Sequence, residues 1–223
     1  MSFSVKITTG TSWLDLLCPH FCMGCGRLGR ILCDCCKNYI NISTLEKDVK
    51  YEEAVKMWGE RCGGAFVGFY ECGFREGLMD ELVKTYKYKS VRAIGQVLVE
   101  LLDEVLPEIE VVAVPLPTIR RHVRERGLDH TLVIAKRLAK RRGWRCERLL
   151  RRMNDAVQVG VSAKKRKLQA EKAYRCDRVL DGGKVYLLLD DVWTTGSSML
   201  AASEVLIKAG ATKIAGAVLV MSK

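Results

Sequence analysis

The sequence predicts an α/β protein, with a central, mostly parallel sheet flanked by helices and a small N-terminal four-cysteine module. Three observations carry this. Val185 to Leu189 is an unbroken apolar run, closed by Asp190 and Asp191 and followed by a small-residue loop and a helical pattern. Val111 to Val114 is a second apolar run, stopped by Pro115 and Pro117. Two CxxC pairs, Cys22 with Cys25 and Cys33 with Cys36, stand close together near the N-terminus. Short apolar runs without polar alternation suit strands covered on both faces, as in parallel sheets.

A chain of 223 residues, 48% hydrophobic, has material for one substantial core and a small appended unit. The expected division is a zinc module and its flanks over residues 1–60 and an α/β domain over 61–223. Met1 to Gly10 has no long apolar stretch and no run of about 18 apolar residues exists, so neither a signal peptide nor a membrane span is indicated. A cytoplasmic protein is expected. The net charge of +11 is concentrated between Arg120 and Arg152, where thirteen basic residues face Glu125, Asp129 and Glu147. Such a stretch suits a polyanion or a solvated helix face, and charge alone does not choose.

Trp13, Leu14, Leu16 and Leu17 form a short apolar patch ahead of the cysteines. Each CxxC turn aims two thiolates at one point, and two turns complete a tetrahedral site with Zn–S distances of about 2.3 Å. The preferred ligands are Cys22, Cys25, Cys33 and Cys36, with Cys18, Cys35 and His20 as possible replacements. Four thiolates leave no open position for water, so the expected zinc is structural. A redox thiol cluster is the competing reading, and it requires an exposed thiolate of lowered pKa.

Ile40 to Glu60 is mixed and charged, with Lys47 to Glu53 reading as a helix face or linker. Ala65 to Tyr70 reads as a strand, and Leu78, Leu82 and Val83 begin a helix running into the YKYK segment that ends at Lys89. Its alternation of aromatic and basic residues fits either a solvated helix end or single-stranded nucleic acid. Ile94, Leu98, Leu101, Leu102 and Val105 make the next amphipathic helix, and the segment VAVPLPTIRRHVRERG places Arg120, Arg121, Arg124 and Arg126 just beyond a strand. Asp129 is placed to cap the helix carrying Leu132, Ala135, Leu138 and Ala139. Met199, Ala202, Val205, Leu206 and Ala209 recur at helical spacing after the acidic pair, and Ile214 to Met221 reads as the last strand.

Two carboxylates at the carboxyl end of a buried strand meet the edge where α/β proteins collect ligands. Thr194, Thr195, Gly196, Ser197 and Ser198 then offer hydroxyls, backbone N–H groups and one close-approach glycine at a helix entrance, which favours an anion. The string LLLDDVWTTGSS resembles the phosphoribosyl pyrophosphate (PRPP) motif of type I phosphoribosyltransferases. The order of two CxxC knuckles, YKYK, VAVPLPTIRRHVRERG and LLLDDVWTTGSS resembles the ComF family of phosphoribosyltransferase-like proteins, associated with natural transformation and DNA uptake. Two departures stand out: RGLDH replaces the usual RGFNQ, so Asp129 and His130 occupy Asn and Gln positions, and Gln169 replaces an Asn.

What the resemblance implies is a type I phosphoribosyltransferase fold that binds PRPP with Mg²⁺. Asp190 and Asp191 would hold the ribose hydroxyls and act at the reacting centre. Val192, Thr194, Thr195, Gly196, Ser197 and Ser198 would wrap the 5-phosphate, and Lys87, Arg120 and Arg121 would assist the pyrophosphate. Gln158, Ser162 and Arg166 match a family pattern within a loop over 151–172. A hood over the acidic pair is expected from the N-terminal module. The alternative is a non-catalytic competence factor that binds single-stranded DNA, through residues such as Arg137, Lys140, Arg141 and Arg145, or a helicase partner.

Overall fold

The computed structural model describes residues 20–45, 49–89, 92–153 and 173–222. Helix α1 (Asp34–Leu45) grows out of the second CxxC pair, and α2 (Val49–Cys62) leads through a 3₁₀ turn into strand β1 (Phe66–Glu71). An α-hairpin follows, α3 (Gly77–Lys89) and α4 (Arg92–Val105), and then β2 (Val112–Pro115). Helices α5 (Arg120–Arg126) and α6 (His130–Arg142) lead to β3 (Arg145–Cys146). The two-residue strands β4 (Arg151–Arg152) and β5 (Tyr174–Arg175) form an antiparallel ribbon, after which β6 (Val185–Trp193), α7 (Ser197–Lys208) and β7 (Lys213–Met221) close the described chain.

The central sheet has five strands in the order β1-β7-β6-β2-β3, and every pairing is parallel. The α/β class with a parallel sheet and flanking helices is therefore present. The apolar runs are explained by burial on both faces. Along β6, Leu187 and Leu189 enter the core beneath α3, α4 and α6, while Tyr186 and Leu188 enter the core beneath α2 and α7. At about 1.5–3 kcal/mol for each fully buried large apolar side chain, these central strands are anchored from both sides.

Helix α2 belongs to the α/β layers, so the division expected at 60/61 cuts through one of them. Trp58 is fully buried, donates from its indole N–H to Ser203 Oγ (3.1 Å) and stacks on Trp193 at 5.7 Å. Gly216 on β7 makes the space: a Cβ there would meet the Trp58 ring at 1.9 Å.

The strand order creates a switch point. From β2 the chain passes through α5 and α6 to β3 on one side, then returns through the ribbon to β6 on the other. Ligands in open α/β sheets bind at the carboxyl ends of strands where the winding reverses. Asp190 and Asp191 lie on β6 at that position, and Leu116 N–H, just after β2, donates to Leu189 C=O (2.8 Å).

Candidate functional site

At the end of β6 the Asp191 backbone N–H donates to Asp190 Oδ1 (2.8 Å), which fixes the first carboxylate against the second residue. Lys87 Nζ, from the last turn of α3, lies 2.6 Å from Asp191 Oδ2. Burial, and then the charge of Asp191, push the Asp190 carboxyl up to about 8, against the opposing pull of the Asp191 N–H, Lys87 and Arg152. The surroundings thus favour the protonated form of Asp190, and Lys87 pairs with its neighbour.

The loop after β6 is shaped by Trp193 and Gly196. Gly196 has φ +69°, and a Cβ on it would meet the Trp193 ring at 2.1 Å, so both conformation and contact demand glycine. Thr194, Thr195, Ser197 and Ser198 remain exposed around it. Thr195 Oγ1 and Ser197 Oγ are 2.9 Å apart, and α7 begins at Ser197 without a side-chain cap. Uncapped N–H groups and exposed hydroxyls at a helix N-terminus form an anion cradle.

The other expected contributors fall on nearby elements with unequal engagement. Arg120 and Arg121 open α5 just beyond β2, and Arg121 Nε donates to Glu125 Oε1 (2.6 Å) on the exposed side of that helix. Within YKYK, Tyr86 is buried, Lys87 turns to Asp191, and exposed Tyr88 carries the Arg126 guanidinium 5.2 Å from its ring centroid. Asp129 is the cap of α6: its Oδ1 accepts from Leu132 N–H (3.2 Å) and from Thr118 Oγ1 (3.0 Å). His130 is buried edge-on against Tyr86 at 4.8 Å, and burial, then Arg126, hold its pKa below the usual imidazole value. It is a packed, neutral ring rather than an exposed base. Gln158, Ser162, Arg166 and Gln169 lie outside the described residues, as do Cys18 and the patch at Trp13 to Leu17.

Sequence reading placed Arg152 only in the basic stretch and in a loop over 151–172, and did not mark Tyr174; the ribbon brings both to the same edge. Arg152 Nη1 donates to the Tyr174 hydroxyl (3.0 Å), and the Tyr174 side chain also hydrogen-bonds Ser198. Two strands of two residues each, more than twenty positions apart, leave no periodicity to read.

The four preferred cysteines come together. The Sγ atoms of Cys22, Cys25, Cys33 and Cys36 all lie within 4.8 Å of one another, and Cys25 and Cys33 are 3.6 Å apart. Tetrahedral Zn–S bonds of about 2.3 Å place sulfurs about 3.8 Å apart, so the group has the dimensions of a metal site. Cys35 is exposed and is not in it. Burial alone would push the Cys22 thiol up, but N–H groups of Cys33, Cys25 and Gly24 bring it down to about 6. Hydrogen bonding with Cys33, then burial and the other two thiols, push Cys36 up to about 12. Four such thiols resist ionising together unless a cation joins them, and a divalent metal supplies that charge.

Gly24 holds the knuckle to the domain, since a Cβ there would meet Cys36 Sγ at 2.7 Å and Leu78 Cδ2 at 2.9 Å. Lys37 forms an ion pair with Glu104 near the end of α4. Leu78 lies in the first turn of α3 and Lys87 in the last. At 1.5 Å per residue, about 13 Å of helix separates the knuckle's contact from the acidic pair's. The knuckle is thus seated beside the α3–α4 hairpin, at the end of α3 opposite Lys87.

The chain matches no protein-family model and no curated protein. Among the described residues, no helix is long and apolar enough to cross a membrane.

Proposed function

We propose that this chain is a phosphoribosyltransferase-like protein of the ComF type, binding PRPP with Mg²⁺ at the end of β6 and structural zinc at the knuckle. One observation carries the reading: an acidic pair and an exposed TTGSS loop meet at the switch point of a parallel sheet, directly before the N-terminus of α7. Asp190 and Asp191 would orient the ribose hydroxyls. Burial and the charge of Asp191 raise the Asp190 carboxyl, which favours Asp190 as a donor to a ribose oxygen, and Asp191, paired with Lys87, would accept. The loop N–H groups and hydroxyls would hold the 5-phosphate. Lys87, already at the pair, would turn toward the pyrophosphate when ligand enters, with Arg120 and Arg121 as further cations from α5. Bound Mg²⁺ would stabilise the leaving pyrophosphate as negative charge grows on it.

The test of turnover is pyrophosphate release from Mg²⁺·PRPP in the presence of purine and pyrimidine bases, ammonia and simple amines. Release that the Asp190→Asn, Asp191→Asn variant lacks is the expected result. Binding of PRPP without release in any mixture contradicts the transferase reading and favours the second one, a competence factor with a regulatory PRPP site. That reading is supported by the exposed Arg124, Lys136, Lys140, Arg145 and Arg148, a surface suited to single-stranded DNA or a helicase partner.

A further inference from the structure

The loop over Thr194 to Ser198 contains no charged side chain. A phosphate monoester held there would be a dianion resting on neutral donors and the helix N-terminus. Those donors favour an anion but leave much of its charge unmatched at a partly enclosed edge. The ribbon brings a positive charge to the loop's side. Arg152 on β4 and Tyr174 on β5 are directly paired across it, and the ribbon is extended by Met153 N–H donating to Ala173 C=O (2.8 Å).

The construction around Tyr174 is specific. Its ring is 5% exposed, in the core beneath α7, and the Arg152 guanidinium lies 5.4 Å from the ring centroid. Its hydroxyl receives the Arg152 hydrogen bond (3.0 Å) and bonds to the Ser198 side chain as well. A phenylalanine would fill the same volume, so the hydroxyl's distinct contribution is to tie the guanidinium to the phosphate loop. Arg152 is also close enough to the acidic pair to attract the Asp190 carboxylate.

We propose that Arg152 is a phosphate-contacting residue of this site, binding the terminal phosphate monoester of a sugar phosphate at the TTGSS loop, and that Tyr174 is the positioning residue that aims it. The identity of that phosphate as the 5-phosphate of PRPP rests on the proposed function; the anion site itself does not. A planar guanidinium matches two phosphate oxygens at once, which a lysine cannot reproduce.

The test is calorimetric titration of the full-length, zinc-loaded chain with ribose 5-phosphate, ribose and Mg²⁺·PRPP, comparing wild type with Arg152→Gln, Arg152→Lys and Tyr174→Phe. Circular dichroism melts confirm that each variant is folded. Wild type is expected to bind ribose 5-phosphate much more tightly than ribose. Arg152→Gln should weaken ribose 5-phosphate about ten- to a hundredfold, the range of a hydrogen bond between charged groups, and leave ribose unchanged. Arg152→Lys should recover part of the loss. Tyr174→Phe should lose less, and combining it with Arg152→Gln should add nothing further, because the hydroxyl acts through the arginine. Should Tyr174→Phe fail to fold, the Gln and Lys pair at 152 still decides the matter. Equal affinity of wild type and Arg152→Gln for ribose 5-phosphate overturns the inference and leaves the PRPP reading standing. Arginine-dependent binding of ribose 5-phosphate with none of PRPP upholds the inference and removes the PRPP reading. A wild type that binds neither overturns both.

Discussion

Burial and the neighbouring charge of Asp191 both oppose ionisation of Asp190 and raise its carboxyl. Its carboxyl titrates near 3.8 in the unfolded chain and near 8 in the fold. Between those values the folded state binds more protons, so this group's contribution to stability is complete below the unfolded value and is lost as pH rises through the folded one. Asparagine does not titrate. The melting temperature of Asp190→Asn relative to wild type should therefore climb from pH 4 to pH 9, and a difference that stays flat across that range contradicts the assignment. Gly196 supports a second residue-scale prediction. Alanine there must accept φ +69° and displace Trp193, whose ring would sit 2.1 Å from the new Cβ. Overpacking of this kind costs about 1–3 kcal/mol, so Gly196→Ala should lower the melting temperature and weaken phosphate binding together; an unchanged melt would show that the loop yields freely. At this scale the sequence was a good guide to Asp190, Asp191 and the loop, since their order along the chain is also their order in space. It was a poor guide to Arg152 and Tyr174, whose partners are remote in sequence.

At the scale of elements, the knuckle and α2 show what local pattern can and cannot reveal. The cysteine spacing identified the group of four, because a tetrahedral site imposes spacing directly. Its seat on Leu78 of α3 was not legible, since Gly24 signals only a close approach and not its partner. Zinc analysis of the purified chain should give one equivalent, lost in Cys22→Ser and Cys33→Ser but kept in Cys35→Ser. Chelation should lower the melting temperature in step with zinc loss, and full zinc retention in Cys22→Ser would contradict the ligand set. The charged run Lys47 to Glu53 left helix face and linker both open, and the helix that forms delivers Trp58 into the core against Phe69 and Trp193. Removing that ring should cost about 3–5 kcal/mol, measured by denaturant melts of Trp58→Ala. A loss under about 1 kcal/mol would mean that α2 is peripheral to the sheet. The cap of α6 at Asp129 and the helix ends near Lys89 and Val105 were legible, as capping and amphipathic spacing are local matters.

For the whole molecule, parallel strands were predictable from two apolar runs, whereas their order was not. No local signal says that β7 inserts between β1 and β6, or that β2 and β6 become neighbours with the winding reversed between them. That order is what turns a strand, two acids and a loop into a site, by bringing α3, α5 and the ribbon around one edge. The basic stretch also changes meaning in the fold. Arg141 Nε lies 2.6 Å from Asp103 and Arg142 joins the same carboxylate, so these two bind the α4–α6 interface and leave less charge for a polyanion than composition implied. The central claim is that this edge is a working PRPP site, and its most direct measurement is titration of Mg²⁺·PRPP into wild type and into the Asp190→Asn, Asp191→Asn variant. The account predicts saturable one-to-one binding to wild type and a loss of at least about tenfold, or 1.4 kcal/mol, in the variant. Absence of binding to wild type, or equal binding to both, would contradict it.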